Sequence, residues 1–281
     1  MVGSRHFKKA PVMGWPDTAA LGTISLAVVP NGLESTAIEE ARANIIATAD
    51  TYISILNREG YLVPFDASKG YWWGSNSSIL NSMILMALAY DFSGDVTYLN
   101  GVSEGMDYIL GRNALAQSYV TGYGERPAQN PHHRFWAHQK NPNYPPPPPG
   151  ALAGGPNSYL QDPYAESHLA GCAPQKCYVD HIDSYSTNEV AINWNAPLAW
   201  VTAFLDEKAK TYPGDWLAAA PSTTVPTAEA TLGPEATPVF TQAGGGGGTW
   251  PWRWIWTALI TWAVVSAGVL IWLWARSRRR R

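Results

Sequence analysis

Residues 178–196, Y-V-D-H-I-D-S-Y-S-T-N-E-V-A-I-N-W-N-A, place two carboxylates, Asp180 and Glu189, among aromatic and amide side chains at the start of an apolar helical segment. Carboxylates can act as general acids and general bases. Cleavage of a glycosidic bond is usually divided between two of them, because one protonates the leaving oxygen while the other activates water. Glu189 is a candidate for one of these roles, and a second carboxylate must then be found.

Each of these side chains also has a purely structural interpretation. The sequence S-T-N-E at 186–189 is a capping box, in which Glu189 would only close the start of a helix. His132 and His133 could be ordinary loop histidines, and Asp180 could cap a loop. Trp73, in W-W-G-S-N at 72–76, could belong to the core or to a cleft. Residue types alone leave these alternatives open.

Two stretches of the chain nevertheless resemble the two signatures of glycoside hydrolase family 9, the cellulases with an (α/α)6 barrel. In residues 118–134 the matching positions are Gly124, Arg126, Pro131, His132 and Arg134. In the second stretch they are Tyr178, Asp180, Tyr185, Glu189, Ala191, Asn195 and Ala196. Segments 107–113 and 150–157 are also similar to the family, and the likeness covers roughly residues 15–208.

The resemblance implies hydrolysis of internal β-1,4-glucosidic bonds in cellulose or a related β-glucan, with inversion at the reacting carbon. It makes Glu189 the general acid and places His132 and Asp180 in the catalytic set, Asp180 with a role closer to positioning than to proton transfer. The residues expected to bind the glucan are Arg134, His133, Tyr185, Tyr123 and Trp73. The sequence carries no metal motif and no sign of a cofactor.

The second carboxylate is missing. In the family the base is an aspartate of an Asp-Ala-Gly-Asp motif, and only Y-D-F-S-G-D at 90–95 is at all similar. Its acids, Asp91 and Asp95, have the wrong spacing and fall between two predicted helices, while Asp17 and Asp66 lack the motif entirely. We therefore expect this chain to be the C-terminal half of the catalytic domain, weakly active or inactive alone. The alternative is a non-catalytic, membrane-anchored carbohydrate-binding protein.

Composition and charge restrict the partners. The fourteen Trp and fourteen Tyr against six Phe suit sugar stacking as well as an ordinary core. Six of the nineteen basic residues lie beyond residue 249 and no acidic residue does, so residues 1–249 carry 13 basic and 22 acidic side chains. Such a domain repels a phosphate backbone, which excludes nucleic acid as an expected partner.

The end of the chain predicts a membrane anchor. Residues 254–274 contain no charge for twenty-one positions, carry tryptophans at both ends and precede a run of arginines that would remain cytoplasmic. The expected organisation is a catalytic region at residues 1–210, a disordered Pro/Thr/Ala/Gly-rich linker at 211–249, a transmembrane helix at 250–275 and a basic tail at 276–281. This predicts an extracellular domain at the plasma membrane, although the first residues lack the apolar run of a signal peptide.

The sequence before the predicted linker indicates an all-α fold, and the family resemblance makes it a partial (α/α)6 barrel. Apolar periodicity and capping residues predict helices at 33–56, 75–90 and 96–111, and a last one from about Ser186 to Lys208. Between 118 and 185 the chain is rich in Gly, Pro, Asn and His, and so long an irregular stretch is usually functional. Cys172 and Cys177 are expected to form a disulfide rather than remain free thiols.

Overall fold

The computed structural model describes residues 13–211, and this region of the chain is helical. Its α-helices are α1 (Ala19–Val28), α2 (Ser35–Arg58), α3 (Ser75–Ser93), α4 (Val96–Leu110), α5 (Pro163–Leu169), α6 (Tyr185–Asn188) and α7 (Ile192–Thr211). Short 3₁₀ helices lie at Gly60–Leu62, Ala67–Lys69, Arg134–Trp136 and Pro174–Lys176. Within residues 13–211 the only β contacts are isolated bridges, so the predicted all-α class is confirmed.

Helix α3 is the centre of the core, because nearly all of its side chains are buried and α2, α4 and α7 pack against it. Helix α4 approaches α3 closely at Gly101 and Gly105. A Cβ atom at these glycines would lie within 3 Å of the sulfur atoms of Met86 and Met83, respectively. The missing side chains let the two helices pack at short distance, with flexible methionines filling the gaps. This core supports the loops that follow α4 and precede α7.

Three of the predicted helices are confirmed with small boundary shifts, whereas the predicted last helix is wrong at its start. The chain forms the single turn α6, becomes extended at Glu189 (φ −64°, ψ 153°) and starts α7 at Ile192. The Asn188 carbonyl accepts the His132 N–H at 2.7 Å and the Glu189 carbonyl accepts the Gly154 N–H at 2.9 Å. These carbonyls are therefore bonded to neighbouring loops instead of to α7.

The break also excludes the capping-box interpretation of S-T-N-E. Glu189 lies at the C-terminal end of α6 rather than in the first turn of a long helix. The Ser186 hydroxyl, which would have capped that helix, donates instead to Asp162 at 2.5 Å. The Glu189 carboxylate is thus free for another role.

No helix within residues 13–211 combines the length and the apolar character needed to cross a bilayer. The predicted transmembrane helix at 250–275, the basic tail and all but the first residue of the predicted linker lie outside the described residues.

Candidate active site

The two signature stretches, far apart in sequence, are joined by hydrogen bonds. The Asp180 carboxylate accepts the backbone N–H groups of Gln129 at 2.7 Å and Asn130 at 2.8 Å. The Asn188 side-chain amide donates to the Asn130 carbonyl at 2.5 Å and to Asp180 at 3.1 Å. Together with the bond from the His132 N–H to the Asn188 carbonyl, these contacts hold the histidine loop beside Glu189.

The His132 side chain has a defined orientation. Its Nδ1 lies 2.5 Å from the Ile182 carbonyl oxygen, and because a carbonyl can only accept, Nδ1 carries the proton in this contact. In the neutral ring Nε2 is then the acceptor. The ring packs edge-on against Tyr185, with centroids 5.6 Å apart. His132 is therefore held at one side of Tyr185 with Nε2 left to contact a ligand.

Glu189 is linked to the same tyrosine through Trp73. The Trp73 indole N–H donates to Glu189 Oε2 at 3.1 Å, and the Trp73 and Tyr185 rings lie 5.8 Å apart. Trp73 comes from the loop before α3, more than a hundred residues away in sequence. The four side chains Glu189, Trp73, Tyr185 and His132 form what we call the Glu189 cluster.

An open cleft of about 530 Å³ lies beside this cluster. It is lined by His132, Asp183 and Tyr185 together with Pro163, Tyr164 and Ser167 of α5. Its volume falls in the range typical of small-molecule sites. Tyr185 offers an aromatic ring and a hydroxyl in this space, a combination suited to the apolar faces and hydroxyl edges of a sugar, whereas both faces of the Tyr164 ring are covered by the stacked rings of His168 and His181.

The loop at 153–157 donates hydrogen bonds to carbonyl groups of α6. The Gly155 N–H donates to the Thr187 carbonyl at 2.8 Å, and the Asn157 side chain donates to the Ser186 carbonyl at 3.1 Å. Gly155 has φ +94°, and a Cβ atom there would lie 2.4 Å from the Asn76 side chain. A glycine is thus required for this close approach.

Three of the predicted glucan-binding residues lie outside the Glu189 cluster. His133 points the other way, stacks on Trp136 at 3.9 Å and lines a different groove with Pro148 and Pro149. Its burial, and secondly the neighbouring His132, lower its pKa. Tyr123 is 57% exposed at an apolar groove between α4 and α7. Arg134 is exposed, and its guanidinium has no hydrogen bond or ion pair within residues 13–211.

Two residues that support the site, Asp162 and Asn157, were not predicted from the sequence. Asp162 precedes Pro163 and a short helix that was not predicted either. Aspartate followed by proline at the first helical position is a helix-start signal, and it could have identified both Asp162 and the helix.

The predicted disulfide is confirmed, since Cys172 and Cys177 are bonded with Cα atoms 5.4 Å apart. Cys177 directly precedes Tyr178, whose hydroxyl donates to the Asn188 side-chain oxygen at 2.7 Å. The disulfide therefore closes the loop that leads into the second signature, one residue before a side chain that supports α6.

Comparison with known proteins gives consistent matches. The family model described as Glycosyl hydrolase family 9 matches residues 3–202. The cellulose 1,4-beta-cellobiosidase of Acetivibrio thermocellus is 56% identical over 198 residues, which are 69% of this chain and 22% of that protein. Endoglucanase C of Cellulomonas fimi is 42% identical over 204 residues, 71% of this chain and 18% of that protein. The chain thus spans about a fifth of the length of these curated relatives.

Among solved structures, the crystal structure of GH family 9 endoglucanase J30 is similar with a TM-score of 0.64 and 28% sequence identity. The match covers 71% of this chain and 37% of that chain. The crystal structure of a metagenome-derived glycoside hydrolase family 9 endoglucanase gives a TM-score of 0.62 at 33% identity, covering 70% of this chain and 34% of that chain.

Proposed function

Because the chain belongs to glycosyl hydrolase family 9, we propose that it carries the general acid of a β-1,4-glucan hydrolase, and that this acid is Glu189. The observation that supports the proposal most strongly is the Glu189 cluster itself. A partly exposed carboxylate receives the Trp73 indole N–H, and the Trp73 ring packs near Tyr185, which lines an open cleft together with His132.

In the proposed reaction the protonated Glu189 gives its proton to the glycosidic oxygen as the bond to the sugar breaks. The resulting carboxylate keeps the Trp73 hydrogen bond, which stabilises the charge it has gained. His132 and Tyr185 line the cleft and would bind sugar hydroxyls through Nε2 and the phenol group, while Asp180 holds the histidine loop in place.

Inversion requires a base across the ring, at roughly 6.5–9.5 Å from the acid. The Asp-Ala-Gly-Asp motif that would supply it does not occur in this sequence. Loss of a general base costs roughly 10²- to 10⁴-fold in rate, so we propose slow turnover for this chain alone. Attack at internal bonds is included in the proposal, although one relative is named a cellobiosidase and another an endoglucanase.

The proposal includes anchoring of the domain at the outer face of the plasma membrane through residues 254–274, which lie outside the described residues. Partition of the 281-residue chain into a membrane fraction, and its loss on deletion of residues 250–281, would support the anchor. A chain that stays in the aqueous fraction would contradict it.

A second candidate function is carbohydrate binding without catalysis. The missing base motif favours it, because the cleft and its aromatic side chains remain when turnover is lost.

One experiment separates the two functions. The 281-residue chain and its Glu189→Gln variant are compared for cellotetraose binding by calorimetry and for cellotetraose hydrolysis over long incubation. We expect both proteins to bind and Glu189→Gln to hydrolyse roughly 10²- to 10⁴-fold more slowly than the unmodified chain, since glutamine fills the same space but cannot give up a proton. The matched control is Glu166→Gln, an exposed glutamate on α5, which should change neither quantity. Binding without turnover by the unmodified chain would support the second function, and equal turnover by Glu189→Gln would refute the first.

A further inference from the structure

We infer that Asp162 is a positioning residue that joins α5 to α6 and thereby sets the positions of Tyr185 and Glu189. The inference rests on the proposed function of Glu189. It follows from three features of Asp162: its burial, the donors that surround it and the helices to which those donors belong.

The first oxygen of Asp162 caps α5. Asp162 is 3% exposed and directly precedes Pro163, the first residue of that helix. Its Oδ1 accepts the backbone N–H of Ala165 at 2.6 Å, one of the N–H groups that the first turn of a helix leaves without a partner. This contact alone would be an ordinary helix cap.

The second oxygen serves α6 in the same way. Asp162 Oδ2 accepts the backbone N–H of Ser186 at 2.8 Å and the Ser186 hydroxyl at 2.5 Å, with the Ser184 hydroxyl at 3.4 Å. Asp162 has no ion-pair partner within residues 13–211, so its charge is balanced by donors from these two helix starts. One buried carboxylate therefore ties α5 and α6 together at their N-terminal ends.

Both helices contribute side chains to the lining of the cleft. Helix α5 contributes Tyr164, whose ring is stacked between those of His168 and His181 at 3.9 Å on each side. Helix α6 contributes Tyr185 as its first residue, and Glu189 follows its last. A shift of α6 relative to α5 would move Tyr185, and Glu189 with it, relative to Tyr164. Asp162 thus fixes the position of α6 and of the acid that follows it.

Aspartate is specific for this task because it offers two acceptor oxygens and no donor. Asparagine caps a single helix about as well as aspartate does. In Asp162→Asn, however, the amide NH₂ must face either the Ala165 N–H or the Ser186 N–H, so one helix loses its cap. Asp95 provides the matched control, because it caps only α4, through Oδ1 and the Thr97 N–H at 2.9 Å.

The test uses the 281-residue chain as Asp162→Asn, Asp95→Asn, Glu189→Gln and the double variant Asp162→Asn/Glu189→Gln. The first readout is the NMR resonance of the Trp73 indole N–H, assigned with Trp73→Phe, because this proton is bonded to the Glu189 carboxylate. We expect Asp162→Asn and Glu189→Gln each to shift it and Asp95→Asn to leave it unchanged. A resonance that is the same in Asp162→Asn and Asp95→Asn would overturn the inference.

The second readout is cellotetraose turnover. We expect Asp162→Asn to lower it roughly 10- to 100-fold, because a misplacement of about 1 Å can cost about 10²-fold. In the double variant Asp162→Asn should cause a smaller loss than it does alone, because part of its effect acts through the position of Glu189. Fully additive losses would mean that Asp162 acts independently of the acid, and would overturn the inference.

The two proposals can fail separately. If Glu189→Gln leaves turnover unchanged, the proposed acid is wrong whatever Asp162 does. If Glu189→Gln lowers turnover as expected but Asp162→Asn behaves like Asp95→Asn, only the positioning role is refuted. Should Asp162→Asn fail to fold, Ser186→Ala removes one of the same hydrogen bonds and leaves the carboxylate intact. Its turnover should then fall by a smaller factor, with the same shift of the Trp73 resonance, and unchanged values would refute the role.

Discussion

Substitution of Asp180 by asparagine should detach the histidine loop from the second signature. The carboxylate accepts the Gln129 N–H on Oδ2, and the Asn130 N–H and the Asn188 amide on Oδ1. An asparagine of the same shape must direct its NH₂ group at one of these sets of donors, so at least one hydrogen bond is lost. Hydrogen bonds to a charged group contribute about 1.5–3 kcal/mol each, and we therefore expect a loss of roughly 2 kcal/mol in the free energy of unfolding.

For a domain of 150–250 residues, 1 kcal/mol corresponds to about 2–4 °C in Tm. We therefore expect Asp180→Asn to lower Tm by roughly 4–8 °C in calorimetry at neutral pH. Asp95→Asn is the control, because Asp95 caps one helix and asparagine replaces it there at little cost. The Asp180→Asn variant should also weaken cellotetraose binding, since it releases the loop that carries His132. An Asp180→Asn protein with the Tm and the affinity of the Asp95→Asn control would refute the anchoring role.

Two further substitutions test the surroundings of the site. Burial lowers the pKa of His133 below its usual value of about 6.5, so the unfolded chain binds the proton more readily and stability should fall as the pH drops below about 6.5. His133→Gln should reduce the difference in Tm between pH 5 and pH 7.5, and an unchanged difference would contradict the assignment. Gly155→Ala should lower the free energy of unfolding by more than about 3 kcal/mol in urea titration, since its Cβ would meet Asn76 at 2.4 Å in a left-handed backbone. Gly94→Ala, also at positive φ but with open space around it, should cost only about 1–2 kcal/mol, and equal losses would refute the steric argument.

The helical core could be predicted because its sequence pattern is local. Helices α2 and α4 have apolar periodicity, α3 is apolar around most of its surface, and residues such as the Asp95 cap and the glycine at position 94 mark clear ends. The short helices α5 and α6 could not be predicted in the same way, because their stability comes from a buried carboxylate shared between them. The capping box at 186–189 predicted the start of a long helix that does not form there. Hydrogen bonds from distant loops to the carbonyls of Asn188 and Glu189 compete with helix formation at this point.

The site residues could be predicted only partly. Glu189, His132, Tyr185 and Trp73, which the family resemblance assigned to one site, lie together, but the contact of Trp73 with Glu189 depends on packing between distant loops. His132 and His133 are adjacent in sequence yet face different grooves, because a chain in extended conformation sends successive side chains to opposite sides. Sequence periodicity could not show which histidine faces the cleft. The orientation of the His132 ring depends on its hydrogen bond to the Ile182 carbonyl, a contact between residues far apart in sequence.

The central claim, that Glu189 donates the proton, is tested most directly by the dependence of the Glu189→Gln defect on the leaving group. The measurement compares cellotetraose, whose sugar leaving group needs protonation, with 2,4-dinitrophenyl cellobioside, whose phenolate leaves without it. We expect the variant to lose roughly 10²- to 10⁴-fold on cellotetraose, the range for general acid catalysis, and much less on the activated substrate. A loss of the same size on both substrates would contradict the assignment and would make Glu189 a binding or structural residue.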